Sequence, residues 1–159
     1  MIRIFVLFLL LVPTLSWTQT SAPKVDIKNF DSAQLNKYIL KEVNSLRKRK
    51  RLDTLIYDPV LEKAAQDQAD YMATKAVIGH GQKSKLKGSP YKRVLLYEGA
   101  HNLIGENVQA YDLQKALKKS KNRLTYDRLA RNMVKIWVKS KPDYANLLES
   151  AYANVGHAY

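Results

Sequence analysis

The chain has 159 residues, enough for about one domain, and it contains no cysteine. The absence of cysteine excludes disulfides, zinc–thiolate sites and thiol nucleophiles, so the fold must be held together by its core. A hydrophobic fraction of 46% is typical of a globular rather than a disordered chain, and the formal net charge is +13.

The first twenty residues have the pattern of a secretory signal peptide. One cation, Arg3, precedes an unbroken apolar run from Ile4 to Val12, and small polar residues follow. This run is shorter than the roughly 20 residues that a membrane-spanning helix needs, which disfavours the alternative of an uncleaved membrane anchor. We therefore predict a signal peptide at residues 1–20 and a secreted, periplasmic or cell-envelope location.

The charge of the remaining chain points to anionic partners. Arg3 is the only charge in the first twenty residues, so the mature chain keeps +12. Such a field favours anionic lipid or an acidic envelope polymer, and we expect no nucleic acid partner because an exported protein rarely meets one. The alternative is that the charge serves only to keep the protein soluble.

Residues 21–30 mix proline, charges and single apolar residues, which is typical of a linker leading into a domain at 31–159. Asp31 and Gln34 have the spacing of a capping box and predict the start of a helix. Its core-facing residues recur at helical spacing: Leu35, Ile39, Val43 and Leu46. The run from Arg47 to Arg51 predicts a solvated cationic end of this helix, or alternatively a contact with an anionic surface.

A second helix is predicted from Asp58-Pro59, an N-cap followed by proline at the first helical position, and it should end at Gly79. Its inner stripe consists of Leu61, Ala65, Ala69, Met72 and Ala76. His80 follows between two glycines and could present its ring to a cavity, although a lone histidine is more often structural.

Three further helices and a strand are predicted in the second half. Ser89-Pro90 starts a short helix that ends by Gly99, and Asp112 starts a strongly basic amphipathic helix. The basic helix could lie on anionic lipid or be an ordinary surface helix. Thr125 caps the last long helix, which ends near Ser140, and residues 152–159 predict a strand.

Several short stretches together resemble the CAP superfamily of cysteine-rich secretory, antigen 5 and pathogenesis-related 1 proteins, in particular its bacterial, cysteine-free SCP-like members. The resemblance runs from about Leu35 to Gly156. It is carried by Asn44-Ser45-Leu46-Arg47, Leu55 to Asp58, Leu61, Ala64-Ala65, His80, Gly105-Glu106-Asn107, Trp137 with Ser140, Asn146-Leu147-Leu148, and Tyr152 with Gly156.

The resemblance implies an α+β fold, an α/β/α sandwich with a small antiparallel sheet between helical layers. It also implies an open cavity lined by two histidines and acidic residues. His80 and Glu106 match two of these positions, whereas Asp143 stands where the bacterial pattern has the second histidine. That replacement weakens the divalent-metal site that the family pattern would otherwise imply. Family members usually continue past Gly156 through a hairpin that completes the sheet, so the resemblance predicts a domain whose C-terminal hairpin is missing, either because the chain is a shortened member or because the sequence is a fragment.

The leading functional prediction is an exported, non-enzymatic module that binds a lipid or an anionic envelope component through a cavity lined by His80, Glu106 and Asp143. One alternative is that the same three residues hold a divalent metal ion. Another is a hydrolase in which Ser140 is the nucleophile and His80 the base, although no nucleophile-elbow motif surrounds Ser140.

Overall fold

The computed structural model describes residues 21–158, so the predicted signal peptide at 1–20 lies outside the described residues. The described chain forms six helices and two short strands, in agreement with the predicted α+β class. In chain order they are α1 (Ser32–Arg49), β1 (Ile56–Tyr57), α2 (Pro59–Lys75), α3 (Pro90–Leu96), α4 (Leu113–Lys119), α5 (Tyr126–Lys139), α6 (Lys141–Leu147) and β2 (Asn154–Val155).

Four of the five predicted N-caps make the expected side-chain hydrogen bond, whereas Thr125 lies at the N-cap position of α5 without one. The Asp31 carboxylate accepts a hydrogen bond from the backbone N–H of Gln34 at 2.9 Å, which satisfies one of the unpaired donors of the first turn of α1. The same kind of capping contact is made by Asp58, Ser89 and Asp112. These starts are local in sequence, which is why a sequence pattern predicts them.

Two helix ends differ from the prediction. α2 ends at Lys75 rather than at Gly79, because Ala76 adopts a left-handed conformation with φ of 53° and its N–H bonds to the carbonyl of Met72. The spacing of Leu113, Ala116, Leu117 and Leu124 predicts a longer helix after Asp112, but α4 ends at Lys119 and Leu124 lies beyond it. Pro142 does not stop the chain from being helical, because it falls in the first turn of α6, where no N–H is needed.

The core lies where α1 packs against α5, and α6 also packs against α5. From α1 it contains the predicted residues Leu35, Ile39, Val43 and Leu46. From α5 it contains Tyr126, Leu129, Ala130, Met133, Val134 and Trp137. α2 and α3 form a separate pair, and α2 also contacts β2.

The prediction of a solvated cationic end for α1 is wrong for Arg47. Its side chain is 0% exposed. It donates hydrogen bonds of 2.7–3.2 Å to four backbone carbonyls, those of Asp53, Leu147, Glu149 and Tyr152. Residues 48–51 are exposed as expected. Arg47 therefore ties the end of α1 to the segment after α6.

The sheet is a two-stranded parallel pair, with Ile56 opposite Asn154 and Tyr57 opposite Val155. The predicted antiparallel orientation is wrong, because the two strands are joined by a crossover that contains α2 to α6 rather than by a hairpin. The strand predicted at residues 152–159 is limited to the two residues of β2. Beside it, Gly156 must be glycine, since an added Cβ would lie 2.1 Å from the backbone nitrogen of Glu62.

The predicted linker at residues 21–30 packs onto the domain. Val25 is buried and its N–H donates to the carbonyl of Leu124 at 2.8 Å, while the N–H of Tyr126 donates to the carbonyl of Pro23 at 3.0 Å. Lys24 forms an antiparallel bridge with Thr125. Across residues 21–158, no helix combines the length and the apolar character needed to cross a membrane.

Candidate functional site

A cavity of about 780 Å³ lies between α2, α5 and the segment of residues 104–111. Such a volume is within the usual range of small-molecule sites. The inner stripe predicted for α2 lines this cavity instead of packing into the core, and within α2 only Ala64 and Gln68 are buried. The apolar face of α2 is therefore available to an occupant.

The predicted residues His80 and Glu106 are brought together at the edge of this cavity. His80 Nδ1 lies 2.9 Å from Glu106 Oε1. The other carboxylate oxygen of Glu106 accepts a hydrogen bond from Arg93 Nη2. Glu106 lines the cavity and its side chain is 15% exposed, whereas that of His80 is 55% exposed and does not line it.

Arg93 is the site residue that sequence reasoning missed. Its side chain is completely buried. Besides the ion pair with Glu106, its Nη1 donates to the backbone carbonyls of His80 at 3.0 Å and of Lys87 at 3.2 Å. Nothing in the local sequence distinguishes it from its exposed neighbour Lys92. Arg93 fixes both the position of Glu106 and the loop that carries His80.

Asn107 ties the same stretch to α6. Its Nδ2 donates to the backbone carbonyl of Asp143 at 3.0 Å, and Asn146 Nδ2 donates to Asn107 Oδ1 at 2.9 Å. An added Cβ at Gly105 would lie 2.3 Å from the hydroxyl oxygen of Tyr152, so any larger residue would force the Tyr152 side chain to move. Residues 105–107 thus contact the loop that carries His80, Arg93 of α3, and α6.

Asp143 does not join His80 and Glu106 in a ligand set. It contributes its backbone carbonyl to Asn107, and it is not among the residues that line the cavity. Within the described part of the chain, no group of three or more histidine, cysteine, aspartate or glutamate side chains is placed to hold a metal ion. The predicted three-residue cluster is therefore reduced to the pair of His80 and Glu106.

This pair does not fit the divalent ion that the family pattern implies. Both oxygens of Glu106 are already engaged, one by His80 and one by the buried guanidinium of Arg93. An ion bound to Glu106 would have to replace His80 at Oε1 or compete with Arg93 at Oε2, and in either position it would lie close to the buried positive charge of Arg93. The donor set favours a structural role for Glu106 over metal ligation.

Ser140, the predicted nucleophile of the hydrolase alternative, lies at the boundary between α5 and α6. Its N–H donates to the carbonyl of Trp137, and its own carbonyl accepts from the N–H of Tyr144 at 2.8 Å. Ser140 does not line the cavity. Hydrolysis stays a prediction that no contact of Ser140 supports.

His157 also lines the cavity, a position that the sequence did not indicate. Burial lowers the pKa of His157 from 6.5 to about 4, against the opposing effect of the Glu62 carboxylate. The imidazole is therefore neutral at pH 7. A neutral ring adds no charge to this apolar wall.

The lowered pKa of His157 predicts a loss of stability in mild acid. As the pH falls below 6.5, His157 becomes protonated in the unfolded chain, whereas in the folded chain it stays neutral down to about pH 4. The free energy of unfolding should therefore fall as the pH drops from 6.5 to about 4. The loss should reach about 3 kcal/mol at most, and less because His157 keeps some solvent contact. Urea unfolding between pH 7 and pH 4 measures it.

The control is His157→Gln, which should flatten the pH dependence between about pH 4 and pH 6.5. Asp67 and Asp127 have pKa values held below 3.8, Asp67 by Lys87 and other hydrogen-bond donors against the opposing effect of burial, and Asp127 chiefly by Thr125. Protonation of these two aspartates therefore lowers the free energy of unfolding only at a lower pH than protonation of His157 does. An unchanged slope in the variant would show that the cavity does not exclude the charged imidazole.

Comparisons with known proteins agree with this fold. The model of the cysteine-rich secretory protein family, CAP, matches residues 40–159. An extracellular protein containing an SCP domain from Bacillus anthracis str. Ames is similar with a TM-score of 0.63 and 19% identity, over 82% of this chain and 41% of that one. An outer surface protein from Borrelia burgdorferi is similar with a TM-score of 0.57 and 21% identity, over 85% of this chain and 84% of that one. None of the curated proteins matches the chain.

Proposed function

From the premise that this chain belongs to the cysteine-rich secretory protein family, we propose that it is an exported, non-enzymatic module that binds an anionic component of the cell envelope. The signal-peptide pattern of residues 1–20 supports export. So do the two similar structures, which are described as an extracellular protein and an outer surface protein. Anionic lipid is the form of this component that can be tested directly.

The observation that carries the proposal is a line of cations along the exposed side of α5, here called the α5 cationic stripe. Its members are Arg128, Arg131, Lys135 and Lys139, all exposed. Their spacing of three or four residues places them on one helix face, opposite the buried residues of α5. Of the four residues in this stripe, only Arg131 forms an ion pair within the described residues, and its partner is Asp127. The other three charges are free to meet an external anion.

The energetics favour a surface with many negative charges. Each lysine or arginine close to an anionic membrane contributes about 1 kcal/mol, so the stripe as a whole supplies useful affinity. Exposed charges are screened by salt, which makes the interaction sensitive to ionic strength. Before α5 in the sequence, the end of α4 and the turn after it carry three more exposed cations, Lys118, Lys119 and Lys121.

The anion is assigned to the stripe rather than to the three predicted cavity residues. Glu106 lines the cavity, but its charge is engaged by Arg93 and His80. The rest of the wall is mostly apolar. The cavity therefore favours an apolar group, which would be bound at a second site of the same protein, apart from the α5 cationic stripe.

We expect the exported form to co-sediment with vesicles that contain phosphatidylglycerol and not with pure phosphatidylcholine vesicles. Binding should weaken strongly as salt rises to about 0.5 M, because the Debye length then falls below the distance between exposed charges and lipid. Equal binding to neutral and anionic vesicles, or no effect of salt, would contradict the proposal. If the protein binds an acidic polymer but not vesicles, the anionic component that it recognises is an envelope polymer rather than a lipid.

A further inference from the structure

The short helix α3 carries apolar residues on both of its sides. Its inner side holds Pro90, Arg93 and Val94, which line the cavity. Its outer side holds three large apolar residues that are all exposed, Tyr91, Leu95 and Leu96. These three do not line the cavity, so they form a surface apart from it. Because a helix that is apolar all round is normally covered on every side, the outer side of α3 is a candidate contact surface.

The turn before α3 adds a fourth exposed apolar residue. Leu86 is 69% exposed. The next residue, Lys87, instead turns back onto α2, where its Nζ lies 2.8 Å from Oδ2 of Asp67. Leucine is among the residues most often buried and lysine among those most often exposed, so this turn reverses the usual arrangement. The Lys87 backbone is also held, because its carbonyl accepts from Arg93 Nη1 at 3.2 Å. The turn is thus fastened from behind with Leu86 pointing outward.

Cations lie among these apolar residues. Lys92 Nζ donates to the carbonyl of Lys85 at 3.1 Å, which brings the turn and α3 together. Lys83, Lys85 and Lys92 are all exposed, and none of them forms an ion pair within residues 21–158. No acidic residue occurs between positions 71 and 97. We call the following set the α3 outer face: Lys83, Lys85, Leu86, Tyr91, Lys92, Leu95 and Leu96.

A bilayer with anionic headgroups matches this mixture of side chains better than a protein or a hydrated polymer does. Lysine is depleted at the centre of protein interfaces, and a hydrated polymer offers no apolar layer to leucine. At a bilayer, apolar side chains enter the boundary between headgroups and acyl chains, while lysine stems lie along it and their ammonium groups reach the phosphates. Tyrosine is enriched at this boundary. Exposed apolar patches with a polar rim mark such contacts.

We propose that the α3 outer face docks on an anionic lipid bilayer and inserts Leu86, Tyr91 and Leu95 into the facing leaflet. The lysines attract the protein to the surface, and this attraction is screened by salt. The apolar residues hold it there by a contact that salt does not screen. This site is separate from the α5 cationic stripe, and it requires a lipid surface, whereas the stripe would also accept an acidic polymer.

The absence of cysteine allows insertion to be measured at one position. In Leu86→Cys the new thiol is unique, so an environment-sensitive NBD fluorophore attaches there alone. The matched control is Leu103→Cys, because Leu103 is also 54% exposed but lies in a stretch, 94–114, without lysine or arginine. With vesicles that contain phosphatidylglycerol, the label on Leu86→Cys should brighten, and nitroxide-labelled acyl chains should quench it. The label on Leu103→Cys should do neither.

Leu86→Ser and Leu103→Ser test the contribution of the inserted side chain to binding. Leu86→Ser should weaken co-sedimentation with phosphatidylglycerol vesicles about tenfold, and Leu103→Ser should change it little. Both leucines are exposed, so both variants should keep the fold. The variant Lys83→Gln/Lys85→Gln/Lys92→Gln should weaken binding at low salt, and its effect should shrink at about 0.5 M salt, where exposed charges are screened.

Three results would overturn the proposal. The first is a label on Leu86→Cys that stays in water while the protein binds the vesicles, which would mean contact through charge alone. The second is an equal effect of Leu86→Ser and Leu103→Ser. The third is no binding to vesicles, and binding to polyglutamate in their place would assign the face to an acidic protein.

The same label separates this face from the α5 cationic stripe. In Leu86→Cys combined with Arg128→Gln/Lys135→Gln/Lys139→Gln, saturating lipid should still brighten the label, because the α3 outer face is intact. Loss of the brightening in this combination would contradict a separate site on α3. If the stripe changes leave vesicle affinity as it was and the label still inserts, the stripe assignment fails and the α3 outer face stands.

Discussion

Replacing Arg47 by methionine should lower the free energy of unfolding by about 4 kcal/mol, although methionine keeps most of the aliphatic volume. The buried guanidinium donates to four backbone carbonyls, three of which belong to residues 147–152. Without it these acceptors stay away from water with no donor. The segment that leads into β2 would then lose its attachment to α1.

The control is Arg49→Met in the same helix, where the side chain is exposed. A surface substitution of this kind usually changes stability by less than about 0.5 kcal/mol. Urea unfolding of both variants at pH 7 measures the difference. Equal effects of the two changes would mean that Arg47 is not the tie between α1 and the end of the chain.

The change Glu106→Gln should lower the free energy of unfolding by about 3 kcal/mol. Glutamine preserves the shape and can still accept one hydrogen bond, but it removes the counterion of Arg93, whose side chain is completely buried. Breaking a buried pair by removing one partner is strongly destabilising. Because Glu106 keeps 15% exposure, we expect the lower end of the usual range.

A double-mutant cycle with Arg93→Met separates charge from shape. The double variant should be less destabilised than the sum of the two single changes, since neither charge is then left alone. His80→Asn should cost less than 1 kcal/mol, because the ring is more than half exposed. An unchanged free energy of unfolding in Glu106→Gln would contradict the assignment of Glu106 as the residue that holds Arg93.

Local features of the fold were predictable from the sequence. The caps at Asp31 and Asp58 act within three residues, so the pattern alone predicts them. The long amphipathic helix α5 follows from its spacing of apolar residues. Arg47 was not predictable, because its acceptors lie as much as 105 residues away in sequence. A charge within a basic run is indistinguishable from its solvated neighbours until the chain has folded.

The candidate site was predictable in part. The resemblance brought His80 and Glu106 together, and the structure places them in contact. It did not indicate Arg93, since the burial of this arginine depends on the loop segments around His80, Lys87 and Glu106 that enclose it. It also placed Asp143 by analogy with a histidine, whereas the structure uses the backbone of Asp143. The antiparallel sheet that the resemblance implied was wrong for the two described strands, which pair in parallel.

The proposed function is tested most directly by two variants that lose the same number of positive charges from different surfaces of the protein. The variant Arg128→Gln/Lys135→Gln/Lys139→Gln removes three charges from the α5 cationic stripe. The control Lys37→Gln/Lys41→Gln/Lys48→Gln removes three exposed charges from α1. At about 1 kcal/mol each, the stripe variant should bind phosphatidylglycerol vesicles roughly 100-fold more weakly, and the control should change little. Equal losses, or no loss in the stripe variant, would contradict the assignment of the anionic surface to α5.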